Sequence, residues 1–178
     1  MIVVLAGTNR PGSNTLKVAR MAESGLRRLG QEVHLLDLAA LPPELFDPSS
    51  YAEKPPGFAP FQQAILDASG LLVVTPEYNG SFPGVLKYFV DMLRFPESLL
   101  EMPVAFIGLA AGRWGAMRSV EQLELIFQYR NAHVFGRRLF IPGINDALDS
   151  KGTLVEPALQ QLFDSLIEGF ADFCQRLR

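Results

Sequence analysis

Short runs of apolar, β-branched residues alternate along the chain with longer stretches whose apolar positions recur at helical spacing. This alternation constrains the fold more than any other feature. Ile2–Ala6 (IVVLA) is apolar on both faces, as a strand covered on both sides must be. Leu16, Ala19, Ala22, Leu26 and Leu29 then mark one face of a helix over Asn14–Leu29, with Gly30 as its stop. Glu32–Asp37 (EVHLLD) is a second, less apolar strand suited to a sheet edge. Leu71–Thr75 (LLVVT), Pro103–Gly108 (PVAFIG) and Arg138–Ile141 (RLFI) read as the third, fourth and fifth strands. Helices are expected over Phe58–Ala68, Phe82–Arg94, Gly115–Asn131 and Thr153–Arg176. Strand and helix in strict turn are the signature of parallel crossover units, so the expected class is α/β: a doubly wound five-stranded parallel sheet with helices on both faces. At 178 residues the chain suits a single domain over 1–178.

Ala39–Gly57 resists this scheme. Pro42, Pro43, Pro48, Pro55 and Pro56 would break a helix there, so the segment reads as a long irregular loop. It is either a lid or partner contact, or a proline-stiffened surface excursion.

Composition narrows the function classes. Hydrophobic residues make up 48% and charged residues 20%, with a net charge of −3. A chain of this balance can bury a core and carries no general electrostatic footprint for nucleic acid. The single cysteine, Cys174, excludes an internal disulfide, an intramolecular dithiol couple and a four-thiolate zinc site. Two histidines, His34 and His133, leave little for a His-rich metal site, and no metal is expected. No apolar run approaches the ~18–20 residues that span a bilayer, and the start lacks the basic region of a signal peptide. The expectation is a soluble, cytoplasmic protein with neither a membrane nor a nucleic-acid partner.

Three loops carry the chemistry, each after a strand end, which in an open parallel sheet is the edge where ligands bind. The first is Gly7-Thr8-Asn9-Arg10-Pro11-Gly12-Ser13-Asn14-Thr15. Backbone N–H groups and the helix dipole favour an anion at such a helix start, with hydroxyls from Thr8, Ser13 and Thr15 and the Arg10 guanidinium as further donors. The loop is neither the dinucleotide fingerprint nor the triphosphate loop, which leaves a phosphomonoester as the better ligand. The competing reading is a polar turn capped by Ser13 or Asn14.

The second loop is Thr75-Pro76-Glu77-Tyr78-Asn79-Gly80-Ser81-Phe82-Pro83-Gly84. Pro76 is expected to turn the chain out of the sheet. Asn79-Gly80 allows positive φ and a close approach to a flat ligand, with Tyr78 as an aromatic flank. Ser81 is the expected cap of the next helix, and Pro83 is tolerated in its first turn. A planar heteroaromatic ring would suit this shelf; a rigid turn without a ligand is the rival. In the third loop, Gly108 to Ala116, small residues again let the backbone approach a ligand. There Trp114 either flanks a ring or packs at the helix start, and Arg113 either meets an anionic substrate or is solvated.

These loops resemble those of the NADPH-dependent FMN reductases of flavodoxin-like fold, which include small quinone, chromate and azo-dye reductases. The family's Gly-Ser-x-Arg-x-x-Ser-x-Asn stands here as Gly7 to Thr15, with Thr8 for Ser and Thr15 for Asn. Its Thr-Pro-Glu-Tyr-Asn-Gly-Ser-x-Pro-Gly-x-Leu-Lys-Asn runs from Thr75 to Lys87 and departs at Tyr88. Its Gly-x-x-Gly-Gly region reads Gly112-Arg113-Trp114-Gly115-Ala116, bulkier than the family pattern. Leu41–Phe46 is similar to the loop after the second strand, and Phe140–Gly143 to the end of the last.

The resemblance implies strand order 2-1-3-4-5. It also implies an FMN phosphate on Thr8, Arg10, Ser13, Asn14 and Thr15. The isoalloxazine and ribityl would lie along Pro76, Glu77, Tyr78, Asn79 and Gly80, with Ala111, Gly112, Arg113 and Trp114 over the pyrimidine side. It further implies NADPH or NADH as donor, a small-molecule electron acceptor, and a homodimer or homotetramer. In that assembly Phe82, Tyr88, Phe89, Met92 and Phe95 belong to the interface, unless this stripe faces the chain's own sheet. No catalytic side-chain constellation is visible, so hydride chemistry falls to the cofactor. The rivals are a flavodoxin-type electron carrier without NAD(P)H activity, a non-enzymatic binding module using the same edge, and a phosphate-binding hydrolase. The hydrolase lacks a visible nucleophile–base pair.

Overall fold

The computed structural model of the protein describes residues 1–150 and 152–177. The elements in chain order are β1 (Ile2–Ala6), α1 (Asn14–Arg28), β2 (Val33–Asp37), α2 (Ala59–Leu66), β3 (Gly70–Pro76), α3 (Gly84–Met92), β4 (Pro103–Leu109), α4 (Met117–Tyr129), β5 (His133–Ile141), α5 (Ile144–Ala147) and α6 (Pro157–Arg176). The strands form one parallel sheet in the order β2-β1-β3-β4-β5, as expected. Among the described residues, no helix is long and apolar enough to cross a membrane.

Successive side chains of a strand point to opposite faces, and the core divides accordingly. Val3, Leu5, Val73 and Phe106 face a layer that includes Ile65 of α2, Phe89 of α3 and Phe127 of α4. Ile2, Val4, Leu72 and Ile107 face the opposite layer, with Val18 and Leu26 of α1 and Phe163 and Phe170 of α6. All residues of β1, β3 and β4 are buried, which is why those three strands read as continuous apolar runs. β2 and β5 are the sheet edges and carry exposed positions such as His34, Arg137 and Arg138.

Several boundaries differ from the sequence expectation, four of them for a local reason. β5 begins at His133, five residues before the expected Arg138. Its pairing with β4 shifts register between Val104 and Phe106, so the early part lacks a regular apolar pattern. β3 continues through Pro76, which pairs with Leu109. A proline at the last strand position loses a donor yet keeps the register. α4 starts at Met117 because Gly115 and Ala116 take positive φ, 55° and 70°. α6 starts at Pro157, because Leu148 and Leu154 form an antiparallel bridge ahead of it. The Ala39–Gly57 loop contains three short 3-10 turns, Leu38–Ala40, Pro43–Phe46 and Pro48–Tyr51, and a fourth (Pro56–Phe58) leads into α2. Leu41 and Leu45 anchor the loop in the core.

Candidate functional site

Because the strands are parallel, their carboxyl ends lie on one edge, and the loops after β1, β3, β4 and β5 converge there. They enclose a polar cleft of about 500 Å³. Arg10, Ser13, Asn14 and Thr15 line it from the first loop; Pro76, Glu77 and Tyr78 line it from the second; Ala111 lines it from the third.

The first loop has the make-up of an anion cradle. Ser13 is the N-cap of α1, its Oγ accepting from the Leu16 amide at 3.1 Å. This leaves the amides of Asn14 and Thr15 with no acceptor among the described residues, as helix starts require. No acidic residue occupies the first turn. The Arg10 side chain is exposed at the cleft wall and bonds to nothing among the described residues. Thr8 is buried beneath, its Oγ1 accepting from the Arg10 amide at 3.3 Å and lying 3.0 Å from the Tyr78 phenol. It supports the wall rather than lining it.

The second loop is a tight two-residue turn. Tyr78 and Ser81 exchange backbone hydrogen bonds at 2.8 and 3.1 Å, and Asn79 and Gly80 both take positive φ, 53° and 77°. The amides of Asn79 and Gly80 donate to nothing among the described residues. Ser81 does not cap α3. Its hydroxyl donates to Gln122 Oε1 at 2.6 Å, and Pro83 takes the cap position without a side-chain bond. Arg118 Nη1 donates to Glu77 Oε1 at 3.0 Å, while Glu77 Oε2 is buried without a partner.

Of the residues expected from the third loop, only Ala111 reaches the wall. Gly112, Arg113 and Trp114 are exposed beyond it, with the Arg113 guanidinium 4.8 Å from the Trp114 ring centroid. A Cβ on Gly115 would meet the Ile141 amide nitrogen at 2.8 Å, so this loop must run against the backbone of β5.

Sequence reasoning missed Leu109, Ala110, Ile144 and Asn145, which also line the cleft. Asn145 lies in α5, beside the first loop: Asn14 Nδ2 donates to its Oδ1 at 3.4 Å. The available signal was the polar turn after the fifth strand, which must reach the same edge as the other three loops. His34 and His133 are exposed on β2 and β5, while Cys174 is buried on α6. None of the three lines the cleft. Among the described residues, no His, Cys, Asp and Glu group is placed to hold a metal.

Comparison with known proteins agrees with this geometry. The family model of the NADPH-dependent FMN reductases matches residues 1–146. The chain is 29% identical to the NAD(P)H-dependent FMN reductase PA1204 of Pseudomonas aeruginosa, over 99% of this chain and 96% of that protein. It is 30% identical to a quinone reductase of Escherichia coli, again over 99% of this chain and 96% of that one. The solved structure of FerB, a flavoenzyme NAD(P)H:(acceptor) oxidoreductase from Paracoccus denitrificans, superposes with a TM-score of 0.79. It is 22% identical and covers 98% of this chain and 97% of its own, a likeness that speaks for the fold. With the motif-bearing loops, the strand order and a family match over most of its length in agreement, this chain belongs to the NADPH-dependent FMN reductase family.

Proposed function

We propose that the strand-end cleft holds FMN, and that a reduced nicotinamide nucleotide and a small-molecule acceptor use it in turn. As a member of its family the chain is an FMN-dependent NAD(P)H oxidoreductase. When bound, FMN would supply hydride and electron-transfer chemistry between NADPH or NADH and a quinone, azo compound, metal oxyanion or second flavin.

The residues present fit that group. One cleft is lined by a helix start with unclaimed amides and no acidic residue in its first turn, and by Pro76, Glu77 and Tyr78, which lead directly into a turn whose two amides are also unclaimed. This juxtaposition carries the reading. The phosphate would sit at Ser13, Asn14 and Thr15 with Arg10 as a charged donor, where the helix dipole favours negative charge. Thr8 would fix the wall through Tyr78. Pro76 to Gly80 would offer the ring a rigid edge, with Ala111 opposite and Gly112, Arg113 and Trp114 at the mouth. The protein contributes orientation and exclusion of water rather than a proton-transfer side chain.

The chain would work as one domain over 1–178, in the cytoplasm, as a homodimer or homotetramer. A groove of about 550 Å³ between α3 and α4 supports the assembly. It exposes Phe95, Leu125 and Tyr129 at 65%, 69% and 78%. Of the expected interface stripe, Phe89 and Met92 face the chain's own core, and Tyr88 is stacked on Phe46 at 5.0 Å. Phe95 stays available, covering the Arg130 guanidinium at 5.0 Å. Leu125→Glu should shift the species measured by light scattering toward monomer.

An absorbance spectrum of the purified protein incubated with FMN, before and after anaerobic NADPH, tests the reading. Retained flavin that bleaches is expected. Retained flavin that stays yellow would make the chain an electron carrier, and no retained flavin would overturn the site.

A further inference from the structure

One face of α4 grips both ends of the turn that follows β3. Ser119, fully buried, places its Oγ 2.9 Å from the Pro76 carbonyl oxygen and 3.1 Å from Thr75 Oγ1, itself buried. Three residues further on, Gln122 Nε2 donates to the Gly80 carbonyl at 3.1 Å, and its Oε1 accepts from the Ser81 hydroxyl at 2.6 Å. Ser119 and Gln122 are spaced about 4.5 Å along the helix axis, so α4 acts as a rigid ruler between the start and the end of the turn. The turn needs such a ruler. Asn79 and Gly80 hold positive φ, and its own ladder consists of the two bonds between Tyr78 and Ser81. The third loop runs directly into α4, so two walls of the cleft rest on one element.

We propose that Ser119 and Gln122 are positioning residues that set the shape of the Pro76–Ser81 turn and thereby the affinity and redox potential of the flavin against it. This rests on the FMN reading of the cleft. Neither side chain lines the cleft; each acts through a backbone carbonyl of the turn. Without them the turn samples other shapes, and apparent affinity falls by the fraction of time it spends in the competent one. Gln122 is exposed, so its removal leaves no buried group unpaired and its effect reports the turn rather than the core.

The test titrates apo-protein with FMN by flavin fluorescence and measures the midpoint potential of the bound flavin, for wild type, Gln122→Met, Ser119→Ala and Ser119→Thr. Gln122→Met keeps length and removes both turn bonds. It should weaken FMN binding about tenfold, as expected for roughly one to two net hydrogen bonds, and shift the potential, with the apo-protein melting temperature nearly unchanged. Ser119→Ala should weaken binding and shift the potential likewise, with a fall in apo-protein stability because its hydroxyl is buried, and Ser119→Thr, which restores the hydroxyl, should bring affinity back to within about threefold. If Ser119→Ala fails to fold, Gln122→Met decides alone. Affinity and potential equal to wild type in Gln122→Met overturn the inference, as do losses that follow only a fall in apo-protein stability. Wild-type protein that binds no FMN overturns the reading of the cleft instead.

Discussion

The Thr8 hydroxyl lies 3.0 Å from the Tyr78 phenol, joining the loop after β1 to the turn after β3 across 70 residues of sequence. This bond fixes the distance between the helix start that would take the phosphate and the turn that would take the ring. Tyr78→Phe should weaken FMN binding about five- to tenfold, the worth of one net hydrogen bond, and Thr8→Val, which also removes the acceptor of the Arg10 amide, should weaken it at least as much. The double variant should be no worse than Thr8→Val alone, since that change already removes the bond to Tyr78. Fully additive losses in a fluorescence titration would show that the two side chains act separately.

Arg10 and Ser13 separate affinity from stability. The Arg10 side chain is exposed and bonds to nothing among the described residues, so Arg10→Ala should leave the denaturation midpoint of the apo-protein unchanged. It should weaken FMN binding by about 1.5–3 kcal/mol, the range for a charge-assisted bond. Ser13→Ala removes the α1 cap and should cost about 1 kcal/mol in denaturant unfolding even without flavin. Unchanged affinity in the arginine variant would take Arg10 out of the phosphate site.

Two glycines of the third loop should respond very differently to alanine. Gly115 has φ 55°, and a Cβ there would meet backbone atoms of Phe140 and Ile141 at 2.8–3.0 Å. Gly115→Ala should destabilise the apo-protein by about 2 kcal/mol or more in urea. Gly112 has nothing within 4 Å of a Cβ, and Gly112→Ala should cost less than about 1 kcal/mol. Equal losses would show that the loop does not pack against β5 as described.

Glu124 on α4 predicts a pH effect. Burial holds its carboxyl above the ordinary carboxylate range, and the Arg138 guanidinium at 3.3 Å only partly offsets this. The folded state therefore binds a proton more tightly than the unfolded chain. Its contribution to stability is fully present below the ordinary carboxylate value and is lost as pH rises through the raised one. Glu124→Gln should lack this loss. Its melting temperature relative to wild type should rise as the pH is raised from below the ordinary carboxylate range through the raised value of Glu124. A constant difference across that range would contradict the assignment.

The fold was legible because its central strands are buried on both faces. Ile2–Ala6, Leu71–Thr75 and Pro103–Gly108 had to be apolar throughout, and nothing in the sequence competes with that signal. The first loop was legible for a similar reason: Ser13 caps α1 by a bond to a residue three positions away, a purely local event. The early half of β5 was not legible, because an edge strand with exposed arginines and a register shift has no apolar pattern to read.

Sequence alone determined which residue types stand at the strand ends, and local hydrogen-bonding chemistry then fixed the first helix cap and the Asn79-Gly80 turn. Tertiary structure decided what meets across the cleft. Thr8 finds Tyr78, Asn14 finds Asn145, and Ser119 and Gln122 reach the turn from a different helix, at separations of 70, 131, 43 and 42 residues. Such pairings depend on where the parallel sheet places its strand ends in space. That follows from the packing of two helical layers against the sheet, and no short window of sequence contains it.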